Sequence, residues 1–205
     1  ASKTSGTTLA LGDIDGDNDL DLYVANFGEL ALLRDGGSFA VRKVGDRSVV
    51  TGLHAKRLKI INGKIVEFGE ADALYQNDGK GLFRKVPWME NKFLDHNGNR
   101  IIEPLDFGLC VQIRDINADG YPDIYVCNDF QTPDRLWMNN GGGVFREAGP
   151  MSIRSVSYAS MGVDFADIDM DGELDFFVAE MLSRNPITKL LKISPNTPKA
   201  PDPKD

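Results

Sequence analysis

Apolar residues come along this chain in short bursts broken by polar, glycine-bearing segments. Leu9-Ala-Leu11, Cys110-Val-Gln-Ile113 and Gly162-Val-Asp-Phe165 read as short strands. Each is followed within a few residues by a very polar stretch and then by a second apolar burst. Those bursts are Leu22-Tyr-Val24, Ile124-Tyr-Val126 and Phe176-Phe-Val178. Branched and aromatic side chains there predict strands rather than helices. Further strands are expected at Ala73-Leu-Tyr75 and Arg135-Leu-Trp137. Each of these runs into an Asn-Gly turn that ends on phenylalanine, at Asn77-Asp-Gly-Lys-Gly-Leu-Phe83 and Asn139-Asn-Gly-Gly-Gly-Val-Phe145. This is hairpin chemistry. A weaker copy of the turn is Arg34-Asp-Gly-Gly-Ser-Phe39. The 21 glycines among 205 residues favour turns over long helices.

The polar stretches between paired strands are nearly identical. They are Asp13-Ile-Asp-Gly-Asp-Asn-Asp-Leu-Asp21, Asp115-Ile-Asn-Ala-Asp-Gly-Tyr-Pro-Asp123 and Asp167-Ile-Asp-Met-Asp-Gly-Glu-Leu-Asp175. Oxygen side chains recur at positions 1, 3, 5 and 9 of each: Asp13, Asp15, Asp17, Asp21; Asp115, Asn117, Asp119, Asp123; Asp167, Asp169, Asp171, Asp175. Position 7 varies in type (Asp19, Tyr121, Glu173), as expected of a residue that offers its backbone carbonyl. Position 6 is Asn18, Gly120 or Gly172, types that tolerate the left-handed turn an ion-wrapping loop needs. So many carboxylates in one turn repel one another by several kcal/mol unless a cation lies among them. The donor set suits a hard cation of six to eight oxygen ligands, Ca²⁺ before Mg²⁺, and lacks the His or Cys that Zn²⁺ prefers. Three Ca²⁺ sites are therefore expected. An EF-hand is excluded because position 12 is Val24, Val126 or Val178 instead of Glu, and because strands flank the loops.

Charge sharpens this picture. The chain carries 31 acidic and 23 basic residues, a net of −8. Thirteen of the acidic residues lie in the three loops, leaving 18 acidic against 23 basic elsewhere. The acidity thus belongs to the loops and not to the surface at large, and three divalent ions would bring −8 to −2. A generic electrostatic grip on nucleic acid is not expected. No apolar run approaches the roughly 18 residues of a membrane span. The two cysteines, Cys110 and Cys127, are too few for a disulfide scaffold or a structural zinc site. A bridge between them is geometrically conceivable and not required; otherwise they read as buried apolar residues.

Loop spacing sets the architecture. Asp115 and Asp167 lie 52 residues apart, and Asp13 and Asp115 lie 102 apart, close to double. A repeat of 45–52 residues with four short strands is a β-propeller blade. Residues 45–86, with Ile60-Ile-Asn-Gly-Lys-Ile-Val66 where an ion loop would fall, are either an insertion in the first unit or a fourth unit without its ion; the second is slightly preferred. The expected division is a propeller segment over 1–193, with blades at 8–44, 45–104 (degenerate or inserted), 105–150 and 151–185 (partial). Residues 194–205, proline-rich, are expected to form an extended tail or linker. Asp95-His-Asn-Gly-Asn-Arg-Ile-Ile-Glu103 has oxygen groups at the same four positions, although a polar Asn-Gly turn explains it as well.

These motifs resemble FG-GAP/VCBS repeats, the units of integrin α-chain propellers. Leu105-Asp-Phe-Gly-Leu, the loop at 115–123, Cys127-Asn-Asp-Phe-Gln-Thr-Pro-Asp-Arg135 and Ser160-Met-Gly-Val-Asp-Phe-Ala-Asp-Ile-Asp169 resemble more closely the bacterial ASPIC/UnbV, cartilage-acidic-protein-like group. The resemblance covers about residues 8–184. It implies an all-β fold of propeller blades, Ca²⁺ at the loop positions named above and a location outside the cytoplasm, extracellular or periplasmic. It implies no reaction, so a structural, adhesive or protein-interaction role is expected instead of an enzyme, with a protein or glycan as partner. A non-catalytic accessory subunit of a larger extracytoplasmic or membrane-attached complex is the alternative, and behind it part of a propeller enzyme. Three or four blades are too few for the usual ring, so further blades, a second copy or a partner subunit is expected to cover the open ends.

Overall fold

The computed structural model describes residues 5–28, 32–33, 38–90, 92–129, 132–149, 152 and 159–181. The proline-rich tail and most of the segment before Ala159 lie outside the described residues.

The three expected strand–loop–strand units all form. The pairs are β1 (Gly6–Gly12) with β2 (Asp21–Asn26), β10 (Gly108–Arg114) with β11 (Asp123–Asn128), and β14 (Ser160–Ala166) with β15 (Asp175–Glu180). Each pair is antiparallel, and each carries a register shift at the same place, at Gly6/Thr8, Gly108/Cys110 and Ser160/Gly162. A shared bulge is a shared backbone, which marks the three units as copies of one design.

The Asn-Gly-Phe turns supply the outer strands. β7 (Ala73–Gln76) and β8 (Arg84–Val86) extend the first sheet to the order β1-β2-β7-β8. β12 (Arg135–Asn139) and β13 (Phe145–Glu147) do the same for the second. The third sheet has two strands among the described residues. The described residues are all-β, in sheets that correspond to part of a β-propeller, with no closed ring among them.

Two features depart from the expected division. β7 pairs with β2, so the first sheet runs from residue 6 to residue 86 and does not end near 44. Between β2 and β7 lie two separate hairpins, β3 (Ala40–Val44) with β4 (Arg47–Thr51), and β5 (Leu58–Ile61) with β6 (Lys64–Glu67). The preferred reading of a fourth unit over 45–86 is thereby corrected to an insertion within the first. Its Asn62-Gly63 turn closes a local hairpin, while the strand that completes the blade is chosen by the long-range pairing of Leu22 with Tyr75. The second departure is β9 (Phe93–Leu94), which precedes the second sheet in the chain yet joins its outer edge, parallel to β13.

The core lies between sheets. Tyr23, Ala25, Leu74 and Val86 of the first sheet pack on Val111, Ile113, Ile124, Val126, Trp137 and Phe145 of the second. Phe93 sits between Trp88 and Trp137 at ring-centroid distances of 4.2 and 5.1 Å, and 5.3 Å from Phe145. Such offset and edge contacts add to the large area that aromatic rings bury. A smaller cluster of Tyr125, Cys127 and Val163 joins the second sheet to the third. β11 is consequently buried at all six positions, its alternate side chains serving opposite neighbours. Cys110 and Cys127 face each other across β10 and β11 as free thiols.

A buried polar knot repeats beside the core, and sequence reasoning missed it. The Tyr23 hydroxyl donates to Asp72 Oδ2 (2.9 Å), the Asn26 N–H donates to Asp72 Oδ1 (2.8 Å), and Asn26 Nδ2 donates to the Ala71 carbonyl. Tyr125, Asp134, Asn128 and the Pro133 carbonyl repeat it in the second sheet. The next blade covers each knot. A Cβ on Gly108 would stand 3.0 Å from Asp72 Oδ1, whereas Ser160, at the equivalent position of the third sheet, donates its hydroxyl to Asp134 Oδ2 (2.6 Å). Partners 46 and 49 residues apart leave no local trace, although the recurrence of Tyr-x-x-Asn after two of the loops was readable.

Candidate metal centre

The three acidic loops adopt one backbone. Positions 4 and 6 both take positive φ: Gly16 (80°) and Asn18 (69°), Ala118 (58°) and Gly120 (90°), Met170 (62°) and Gly172 (93°). The expectation placed this conformation at position 6 alone. Ala118 and Met170 adopt it despite the penalty for a Cβ, held by hydrogen bonds that wrap the loop around its first aspartate. Asp13 accepts the N–H groups of Gly16 and Asn18, Asp115 those of Asp119 and Gly120, and Asp167 those of Asp171 and Gly172. The last aspartate closes each loop by accepting the N–H of its second residue, Ile14 on Asp21, Ile116 on Asp123 and Ile168 on Asp175.

Within this frame the carboxylates converge. One oxygen from each of Asp13, Asp15 and Asp17 lies within 4.8 Å of the others, and the same holds for Asp167, Asp169 and Asp175. In loop 2, Asn117 replaces an aspartate, donating its Nδ2 to Asp119 Oδ2 (2.9 Å) and accepting the Asp119 N–H. Asp19 belongs with the first cluster electrostatically. Lost hydration, then the charges of Asp17, Asp15 and Asp13, hold its carboxyl above the ordinary range. Asp171 and Asp119 accept the N–H groups of Glu173 and Tyr121 at position 7. The Tyr121 ring lies against Gly141, 44% exposed.

The surroundings differ from loop to loop. Asp21 and Asp123 are buried, whereas Asp175 is exposed. Desolvation, reinforced by Asp15 and opposed by the N–H of Asn77, pushes Asp21 up to about 6. Desolvation also raises Asp123, against the N–H of Asn139. Asp15 Oδ1 and Asp19 Oδ1 are buried without a hydrogen-bond partner. Buried carboxylate oxygens left bare are costly. Oxygen donors, mutual repulsion and orphaned buried oxygens together fit a hard divalent cation, and Asp13, Asp15, Asp17, Asp19 and Asp21 are the residues that would hold it in loop 1.

The turn at 95–103 behaves differently. Asp95 Oδ1 accepts the N–H groups of Asn97 and Asn99, and the Asn99 side chain donates to the same carboxylate. These hydrogen bonds, the Asn99 side chain first, lower the Asp95 carboxyl below the ordinary range. Its oxygens are satisfied within the hairpin, so the polar-turn reading accounts for this segment.

No helix among the described residues is long and apolar enough to cross a membrane. Comparison with curated proteins yields no match. Residues 115–178 match the family model of the FG-GAP-like repeat. That span begins at the first aspartate of loop 2 and ends in β15, one strand beyond loop 3. The match spans loops 2 and 3, and the loop and bulge of residues 6–26 repeat the same strand–loop–strand design: the chain carries an FG-GAP-like repeat at residues 115–178 within sheets of the β-propeller-blade type.

Proposed function

We propose that this chain is a calcium-binding propeller module of the extracellular or periplasmic space, with a structural or adhesive role and no catalytic one. The observation that carries the reading is the convergence of carboxylates in loops of one repeated backbone, with orphaned buried oxygens at Asp15 and Asp19. Each loop joins the two inner strands of a blade, so a cation there neutralises the cluster and locks the hairpin. The ligands in this reading are the fifteen loop residues at positions 1, 3, 5, 7 and 9, with Tyr121 contributing its backbone carbonyl and Asn117 turning its amide oxygen inward.

Binding to the folded state alone stabilises it. With Kd values of ~10⁻⁴–10⁻³ M, as in extracellular modules, 1 mM Ca²⁺ adds about 0.4–1.4 kcal/mol per site. Chelation therefore lowers the melting temperature and Ca²⁺ restores it; superimposable melts in chelator and in 1 mM Ca²⁺ would refute the reading. Asp123→Ala removes one of three sites, lowering the stoichiometry from three to two in a calorimetric titration.

Two exposed faces favour an accessory role within a larger assembly. Leu9 (62% exposed) and Leu11 lie on the side of the first sheet away from the second, and Phe177 (72%) lies on the far side of the third. They occupy the positions that neighbouring blades cover in the second sheet, such as Val111, Ile113 and Tyr125. A further blade, a second copy or a partner protein is the occupant in this reading.

A further inference from the structure

We infer that Asn139 couples loop 1 to loop 2, so that calcium fills these two loops cooperatively while loop 3 fills on its own. The inference rests on the calcium reading above and concerns how the sites communicate.

Asn139 ends β12 and is 1% exposed. Its Nδ2 donates to the Ile14 carbonyl in loop 1 (2.8 Å) and to the Pro122 carbonyl in loop 2 (3.0 Å). Its backbone N–H donates to Asp123 Oδ1 (2.8 Å), the carboxylate that closes loop 2. Its side-chain oxygen accepts the Gly141 N–H. Ile14 in turn donates its N–H to Asp21, the carboxylate that closes loop 1. One buried hydrogen-bonded chain thus runs from Asp21 through Ile14 and Asn139 to Asp123. The turn that follows Asn139 reinforces it, since Gly143 is seated against Asp15 and Lys92 fixes the Gly142 carbonyl at 3.0 Å.

Such a bridge has two states. With both loops set, the side-chain amide and backbone N–H of Asn139 are satisfied. If either loop shifts, a buried donor or acceptor is stranded, which is costly. An ion that fixes Asp123 therefore makes the set form of loop 1 less costly, and linkage requires the reverse effect to be equal. The equivalent residue of the first sheet, Asn77, gives the contrast. Its N–H donates to Asp21 and its Nδ2 to the Leu20 carbonyl, both of its own loop. Among the described residues no hydrogen bond joins loop 3 to either of the others.

The amides of Gly16, Gly120 and Gly172 each donate to the first aspartate of their own loop and so report its occupancy. Their resonances are followed through a Ca²⁺ titration of the 205-residue chain and of Asp119→Ala, an exposed change that disables loop 2. The Gly16 midpoint rises at least about fivefold in Asp119→Ala, the lower end of typical coupling, while Gly172 stays in place. In an Asn139→Ala background, Asp119→Ala no longer moves Gly16. Asn139→Asp, which keeps the acceptor for Gly141 and loses both amide donors, replaces the alanine variant if that fails to fold. An unmoved Gly16 midpoint while all three loops of the parent respond to Ca²⁺ overturns the coupling and leaves the calcium reading standing. Coupling that survives both Asn139 variants overturns the role of that residue. No response from any of the three glycines means that the calcium reading itself fails and takes the coupling with it.

Discussion

Loop 1 and loop 3 are nearly the same peptide in two different places. Both carry aspartate at positions 1, 3, 5 and 9, and both fold around their first aspartate with two left-handed residues. Loop 1 is pressed against the second sheet. Its Ile14 belongs to the large core, Gln76 Nε2 donates to Asp15 Oδ2 (2.8 Å), and Asn139 holds its backbone from the next blade. Loop 3 stands in solvent, with Asp167, Asp169, Asp171 and Asp175 all exposed. The loop conformation is therefore written in the nine residues, while the strands packed around the loop, Gln76 of its own blade and Asn139 of the next, set how far it is shielded from water.

Removing the neighbour is the strongest way to break this comparison. Trp137→Ala opens the seam on which loop 1 rests and costs about 3–5 kcal/mol in urea unfolding, as large aromatic deletions do. Phe177→Ser, on the exposed far side of the third sheet, stays within about 0.5 kcal/mol.

A second test uses pH at the same seam. Burial raises Asp72 to about 7, opposed by its hydrogen bonds from Asn26 and Tyr23. The folded state then keeps this proton up to about pH 7, while the unfolded chain releases it near pH 4. Asp72 thus favours folding most below pH 4, and its contribution falls as pH rises toward 7. Asp72→Asn removes that slope. Relative to the parent, the variant gains on the order of 2 kcal/mol between pH 5 and pH 8, read from urea midpoints in chelator.

The smallest effect sharpens the comparison at loop 3 itself. Met170 holds φ 62° with its side chain 87% exposed, where loop 1 has Gly16. Met170→Gly relieves the left-handed penalty and stabilises by up to about 1 kcal/mol, and an unchanged melt would show that the strain is already relaxed.

Much of this was readable from sequence because the chemistry is local. Strand, acidic loop and strand follow one another within some twenty residues, and the Asn-Gly-Phe turns mark the outer hairpins. What escaped depends on distance. The Asn62-Gly63 turn announces a hairpin but not the sheet to which it belongs, so the insertion passed for a blade. Asp72 and Asp134 carry no sign of their role, since their tyrosine and asparagine partners are brought by pairing of strands and not by spacing. Ala118 and Met170 gave no sign of left-handed backbone, because their loops impose it through the first aspartate. Asn139 was read as a turn residue, and its second partner lies 125 residues away.

The placement of β9 has a topological consequence. Residues 93–94 clasp the rim of the second sheet, pairing with Phe145 and Arg146, before the polypeptide doubles back to begin that sheet at its innermost edge with Gly108. Phe93 is also wedged among the tryptophans of the seam. A backbone severed between the exposed His96 and Asn97 leaves two fragments still clipped together by strand pairing and interlocked rings, which makes this tip the natural place to split the molecule into complementing halves.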